Sequence, residues 1–392
     1  AAAPGPAAAA LDLKRLNQIG ITVRKFRRPY AEVLDAALGC DDTLFTAAED
    51  VLRLRDCLPT EEERARLAER APPPAGEGDV HVAPVPGSLS EPEAFALSMS
   101  RVPRMAERLE CFATRLQFDA RATELTLQAR AITQAASSVA SDSALPVILA
   151  AALRVGNVLN AGTFRGGAQA FKLDVLLTLA NVKSTGDARP DDEGSDGAPP
   201  PPPRPPTTLL HVVAEAVEHA LGPGDGPDGP QGTAGAEPPS PAEQEASRVM
   251  GARHAAAVDA LEKARQLKAE EVRAEAEALR RSLEAVAEEI PRHRKPVNKA
   301  DAFSQRMKHF HEGAKRQVGE LQRAAEGMAA ELSRAGTFLL GADGASEAAA
   351  EEALHTLDGF YAALHKARND NVRARKLRAR QMALAAARAA GP

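Results

Sequence analysis

Tryptophan is missing from this chain and the other aromatics are scarce, with 11 Phe and 2 Tyr among 392 residues. β-Branched residues are also few beside a large excess of alanine, a balance that favours helix over sheet. Only three cysteines occur, Cys40, Cys57 and Cys111. They are odd in number and far apart, which excludes a disulfide framework and a paired metal-ligand motif, so they read as buried, reduced thiols. No apolar run reaches the roughly 18 residues of a membrane helix, and no signal-peptide pattern is present. A cytoplasmic protein is expected. The net charge of −5 excludes a strongly basic nucleic-acid binder.

Catalytic constellations are absent as well. His309-Phe310-His311-Glu312 lacks the spacing that puts two imidazoles one helical turn apart. Gly162 to Gly167 has no following Gly-Lys-Ser/Thr and no preceding strand, so it cradles no phosphate. No serine sits in a nucleophile elbow. The run Glu61 to Glu63 and the pair Glu351-Glu352 read as solvated helix faces. An enzyme is not expected, and no cofactor or metal is implied.

What is present is helix. The chain is 44% hydrophobic and 26% charged, enough to bury a core and stay solvated outside. Thr60-Glu61-Glu62-Glu63 and Ser90-Glu91-Pro92-Glu93 are capping boxes, and Ser240-Pro241 starts another helix. A helix is expected from about 241 to 290, ending in a seam at Val272, Ala276, Leu279, Leu283, Val286 and Ile290. A second is expected after about 300 through Phe303, Met307, Phe310, Ala314, Val318, Leu321 and Met328. Steps of three and four residues mark both as long helices packed on partner helices.

Pro/Gly-rich stretches punctuate these helices: residues 1–10, 71–89, 184–206 and 222–239. Such composition buries too little apolar area to fold alone. Pro199 to Pro203 could dock a profilin, SH3 or WW groove as polyproline II, but the favoured reading is a tolerated surface insertion. The basic tail (Lys366, Arg368, Arg373, Arg375, Lys376, Arg378, Arg380) reads as a solvated helix end.

The most informative stretch is 145–183. An apolar helix through Ile148, Leu149 and Leu153 leads into Gly156-Asn157-Val158-Leu159-Asn160, a permissive turn from Ala161 to Gln169, and then a new amphipathic helix with Leu173, Leu176, Leu177 and Ala180 on one face. Lys172 stands at the N-terminal end of that helix, against its dipole. GNVLNAGTFRGGAQAFKLDVLLTLANVKST, then TTLLHVV from Thr207, resembles the formin homology 2 core, with its GN-x-(M/L)-N, AGT-x-RG, AFKL and TTLLHF motifs in order; Val212 stands where the last usually has Phe. Leu11 to Ile21 is similar to that family's LD-x-K-R-x-x-N-x-I-x-I opening, and Glu93-Ala94-Phe95, Val102-Pro103-Arg104 and Phe338 to Gly341 continue the likeness to about residue 372.

The resemblance implies an all-α, elongated fold with knob, coiled-coil and post regions: 11–115 knob-like, 116–221 post-like, 240–392 coiled-coil and closing helices. It implies actin as partner, a cytoskeletal location, nucleation of filaments and association with the barbed end. The knob isoleucine that enters a cleft on actin corresponds to Ile21, with Ile19 second, and the charged AFKL contact to Lys172. Gly156, Asn157 and Asn160 inherit the role of receiving the partner subunit's lasso. The lasso itself, normally upstream with a signature Trp, is not in this stretch, so the homodimer expected of a complete domain is doubtful here. The alternative is a helical scaffold that binds through its coiled-coil surface or proline run.

Overall fold

The computed structural model describes residues 10–71, 80–164, 166–183, 208–221, 241–342 and 346–389. Pro199 to Pro203, Ser240 and the loop at 222–239 lie outside them. Among the described residues thirteen α-helices follow one another: α1 (Leu13–Arg24), α2 (Tyr30–Leu38), α3 (Ala48–Arg55), α4 (Glu61–Ala68), α5 (Glu91–Arg101), α6 (Met105–Ala140) and α7 (Leu145–Leu159). Then come α8 (Val175–Thr178), α9 (Leu209–Leu221), α10 (Pro241–Ala264), α11 (Ala269–Glu289), α12 (Phe303–Leu340) and α13 (Glu347–Ala389). Among the described residues extended pairing is limited to two isolated bridges, as alanine-rich, β-poor composition requires. The fold is all-α. Among these residues no single helix is long and apolar enough to cross a membrane.

The chain divides into two compact units. The first takes residues up to Leu127 together with Glu270–Ala325; the second takes Gln128–Ala269 and everything from Glu326. The division cuts through α6 and α12, because one long helix can supply buried stripes to successive cores.

The first unit is built on α1 to α5. Both capping boxes form: Thr60 Oγ1 accepts from the Glu63 N–H (3.2 Å) while Glu63 Oε2 accepts from the Thr60 N–H (2.9 Å). Glu93 does more than its motif demands. One oxygen takes the Ser90 N–H (2.9 Å), and the other takes the Ala10 and Leu11 N–H groups (2.7 and 3.3 Å), tying the entry to α1 onto α5. Phe45 sits edge-on to Phe26 (4.8 Å) and Phe112 (5.7 Å) in the core. Cys40, Cys57 and Cys111 are free and buried, and burial pushes the Cys40 and Cys111 thiols up to about 12, leaving them protonated and inert. The heptad seam buries Ala276, Leu279 and Leu283 against Phe118, Leu125, Val318 and Leu321.

A charged cluster ties the first unit's α6 to the segment before α12. Glu289, 5% exposed, receives Arg104 through Nε (3.0 Å) and Nη2 (2.6 Å), Arg292 Nη1 (2.6 Å) and His293 Nε2 (3.1 Å). Arg108, equally buried, donates to His293 Nδ1 (3.1 Å) and Asp301 (2.9 Å) and lies over the Phe303 ring.

In the second unit α9 packs its Leu210, Val213 and Val217 face against α7 and α13. The single helix expected from 241 to 290 is two. It breaks between Ala264 and Ala269, where Arg265 forks onto Asp358 (2.7 and 3.2 Å) and Glu351 accepts the Ala269 N–H (3.3 Å). No Gly or Pro marks the break, where local turn bonds (Arg265 N–H to the Glu262 carbonyl, 3.4 Å, and Leu267 N–H to the Ala264 carbonyl, 2.9 Å) stand in for helical ones. The amphipathic helix expected after Lys172 is corrected too: α8 is one turn, with Leu176 and Leu179 buried and Leu177 44% exposed. Lys183 bridges Thr208, so the ends of the stretch between them meet.

Candidate functional site

Helix α1 separates two isoleucines by role. Asp12 caps it, accepting from the Arg15 N–H (2.6 Å), and Arg15 anchors it by donating to the Asp56 and Leu58 carbonyls (2.7 and 2.6 Å). Packed on α3 and α5, α1 faces Ile19, Gly20 and Val23 into the core and Asn17, Gln18, Ile21, Arg24 and Lys25 outwards. Ile19 is 0% exposed and Ile21 74% exposed. Ile19 is therefore a core residue and is withdrawn as a surface contact: 200° of helical rotation separates the two side chains. Beside Ile21 a hollow of about 360 Å³ is lined by Thr22, Lys25, Phe26, Asp50 and Arg53. Lys25 pairs with Asp50, and Arg53 approaches the same carboxylate at 3.9 Å. The apolar tip thus stands among basic groups.

The Gly156–Asn160 motif occupies the last turn of α7 in the second unit. Asn157 brackets the following loop: its Nδ2 donates to the Ala168 carbonyl (2.9 Å) and its Oδ1 accepts the Ala168 N–H (2.8 Å). Asn160 Nδ2 donates to the Gly156 carbonyl (2.9 Å), and the Asn160 carbonyl accepts Thr163 N–H (3.0 Å) and Oγ1 (2.7 Å). The loop closes tightly enough that a Cβ at Gly166 would lie 2.6 Å from the Asn160 carbonyl oxygen. Gly162 takes φ +78°, which glycine alone adopts freely. Gly156, by contrast, has nothing within 4 Å of an added Cβ, so the fold of this chain does not require a glycine there.

Around the bracketed loop stand Val158 (76% exposed), Leu159 (61%) and Phe164 (92%), apolar side chains that the reading of the sequence passed over. The available signal was their register. The buried stripe of α7 runs through Leu145, Ile148, Ala151 and Ala152, and Val158 and Leu159 exceed what one buried face can absorb. Lys172 is exposed and has no ion-pair partner among the described residues. With Phe171, Leu173 and Asp174 it borders a groove of about 490 Å³ whose other wall is Leu339, Leu340, Ala349, Glu352 and Ala353. Ile21 thus belongs to the first unit, and Gly156, Asn157, Asn160 and Lys172 to the second. Among the described residues no cluster of His, Cys, Asp and Glu is arranged to hold a metal. The surfaces offer apolar anchors and single charges, the chemistry of macromolecular contact.

Comparison with known proteins follows the same residues. The family model for the Formin Homology 2 Domain matches residues 7–189 and 204–365. Similar curated proteins include Formin-J of Dictyostelium discoideum, 32% identical over 175 residues, and Formin-like protein 6 of Oryza sativa subsp. japonica, 31% over 174. Putative formin-like protein 15b of Arabidopsis thaliana is 31% identical over 172. Each alignment covers 44% of this chain, but only 6%, 12% and 45% of those proteins respectively.

Proposed function

The chain belongs to the formin homology 2 family, and from that premise we propose that it is a non-enzymatic actin-binding module that associates with the filament barbed end and promotes nucleation. The observation that carries the reading is Ile21. A β-branched apolar side chain, 74% exposed on the polar face of a capped helix, is the kind of anchor that gains most by entering a partner's cleft. Arg24, Lys25 and Arg53 around it suit an acidic partner surface and would speed encounter. Lys172 supplies a second, charged contact beside its groove.

The motif at the end of α7 has a separate part in this proposal. Asn157 holds the loop in shape, and Val158, Leu159 and Phe164 give an incoming apolar segment something to cover. That segment is the lasso of another formin homology 2 chain, with Gly156 kept small for its approach.

Actin assembly from purified monomers, and elongation from preformed seeds, test the reading. The chain is expected to change one or both, and its Ile21→Ala, Lys172→Ala double variant to lose the effect. The seeded assay matters because one Ile21-bearing unit at a barbed end needs no partner chain. If neither assay responds to the chain, or if the double variant acts like the wild type, the assignment fails.

A further inference from the structure

Helix α13 continues well past its own packing. Its buried stripe runs through Leu357, Phe360, Leu364 and Ala367 and closes at Asn371. Beyond that point Ala374 is half-buried and every side chain from Arg375 to Leu384 is exposed, yet the helix holds. Alanine, arginine, lysine, leucine, glutamine and methionine fill this stretch, and all of them favour helix without help from a core.

Two properties coincide there. Arg373, Arg375, Lys376, Arg378 and Arg380 fall within little more than two turns, and no Asp or Glu lies between Asp370 and Leu384. Arg375 turns back and donates to Glu218 of α9 (2.7 Å), and Arg373 approaches Asp370 at 3.9 Å. Among the described residues Arg378 and Arg380 pair with no carboxylate. Leu377 lies two residues from Arg375, and so 200° of helical rotation away from the side that meets α9. A line with steps of four, three and four runs through Arg373, Leu377, Arg380 and Leu384. Leu377 and Leu384 are 58% and 56% exposed, and Met382 is 73% exposed. Solvation accounts for the cations of such a face but leaves its leucines uncovered.

Partners differ in what they offer these side chains. A nucleic acid or an acidic peptide answers the cations and leaves the leucines in water. The head-group layer of an anionic bilayer answers both: arginine stems lie along apolar surface with their guanidinium groups among the phosphates, while leucines on the same line enter beneath. Cations clustered on an exposed helix strengthen attachment to acidic lipid by about fivefold each, and apolar side chains supply the second hold that stable anchoring needs. We propose that the exposed end of α13, from Arg373 to Leu384, is a membrane-surface helix that binds anionic phospholipid through its Arg373–Leu377–Arg380–Leu384 face. This attachment is independent of actin.

Flotation of the whole chain with vesicles of phosphatidylcholine, alone or with about one-third phosphatidylserine, tests it. Binding to the anionic vesicles only is expected, and it should weaken as salt rises. The Arg373→Gln, Arg380→Gln variant should bind about ten- to thirtyfold more weakly. The Leu377→Gln, Leu384→Gln variant keeps every charge and should lose at least about fivefold. Glutamine is a strong helix former, so circular dichroism should show unchanged helicity in both. Arg64→Gln, Arg66→Gln, which removes two exposed cations from α4, should bind like the wild type. Equal binding to the two kinds of vesicle, none to either, or full binding by the arginine or the leucine variant would each overturn the proposal. So would release from the anionic vesicles by duplex DNA or polyglutamate at equal anionic charge.

Discussion

Replacing Glu289 by Gln keeps the shape of the buried side chain and removes its charge. In the native structure Arg104 grips that carboxylate through two nitrogens, and Arg292 and His293 add one contact each. The Arg104 hydrogen bonds are the largest influence, and together with Arg292 and His293 they outweigh burial and hold Glu289 at about 2, against an ordinary 4.5. That difference converts to about 3 kcal/mol of stability at neutral pH. The side chains of Arg104 and Arg292 are 42% and 48% exposed, so solvent screening reduces the expectation to about 2–3 kcal/mol. The contribution is that of a depressed carboxylate: it is fully present above about pH 4.5 and is lost as pH falls towards 2. Glu289→Gln should therefore unfold at lower urea at pH 7 and show a flatter decline between pH 5 and 2. Burial and the Arg108 charge also hold His293 neutral, below its usual range. A shallower loss of stability should thus begin as pH drops through the ordinary histidine value, and it should be steeper in the variant, where the Glu289 charge no longer favours the protonated His293 ring. Urea titration followed by circular dichroism measures the whole chain, and hydrogen exchange on α1 to α5 localises the effect to the first unit. A change below about 0.5 kcal/mol at pH 7, or an unaltered acid limb, would refute the reasoning.

Further outcomes follow from the same geometry. Ile19→Ala empties a fully buried site and should cost about 2–5 kcal/mol in thermal or urea unfolding. Ile21→Ala should leave stability within about 0.5 kcal/mol while weakening actin binding by roughly five- to thirtyfold, the worth of about 1–2 kcal/mol of apolar contact; equal stability losses would show that α1 is turned otherwise. Gly166→Ala drives a Cβ against the Asn160 carbonyl and should raise hydrogen exchange at Ala168 by about tenfold or more, whereas Gly156→Ala should leave exchange unchanged. If Gly156→Ala nonetheless weakens capture of a lasso-bearing formin homology 2 chain in a pull-down, the glycine serves the partner; unchanged capture would remove it from the interface.

Much of this protein is legible in its residues alone because helical signals are local. The capping boxes at Thr60 and Ser90, the three-and-four stripe from Val272 to Val286, and that from Phe303 to Met328 each depend on spacings within a few turns, and all three appear in the structure. The ordered motifs from Gly156 to Val213 identified the family in the same way, since their order is itself a property of the chain. Tertiary structure decided what spacing leaves open. Ile19 and Ile21 are alike in propensity, and the packing of α1 on α3 and α5, which buries Ile19 with Val23, determines which faces water. The break between α10 and α11 has no Gly or Pro to announce it, and the Asp358 that Arg265 forks onto there lies 93 residues away. Nor does any periodicity reveal that Asp142 meets His254 across 112 residues. Local free energies are set by neighbours in sequence, whereas the burial, charge and orientation of a site come from groups that only folding brings together.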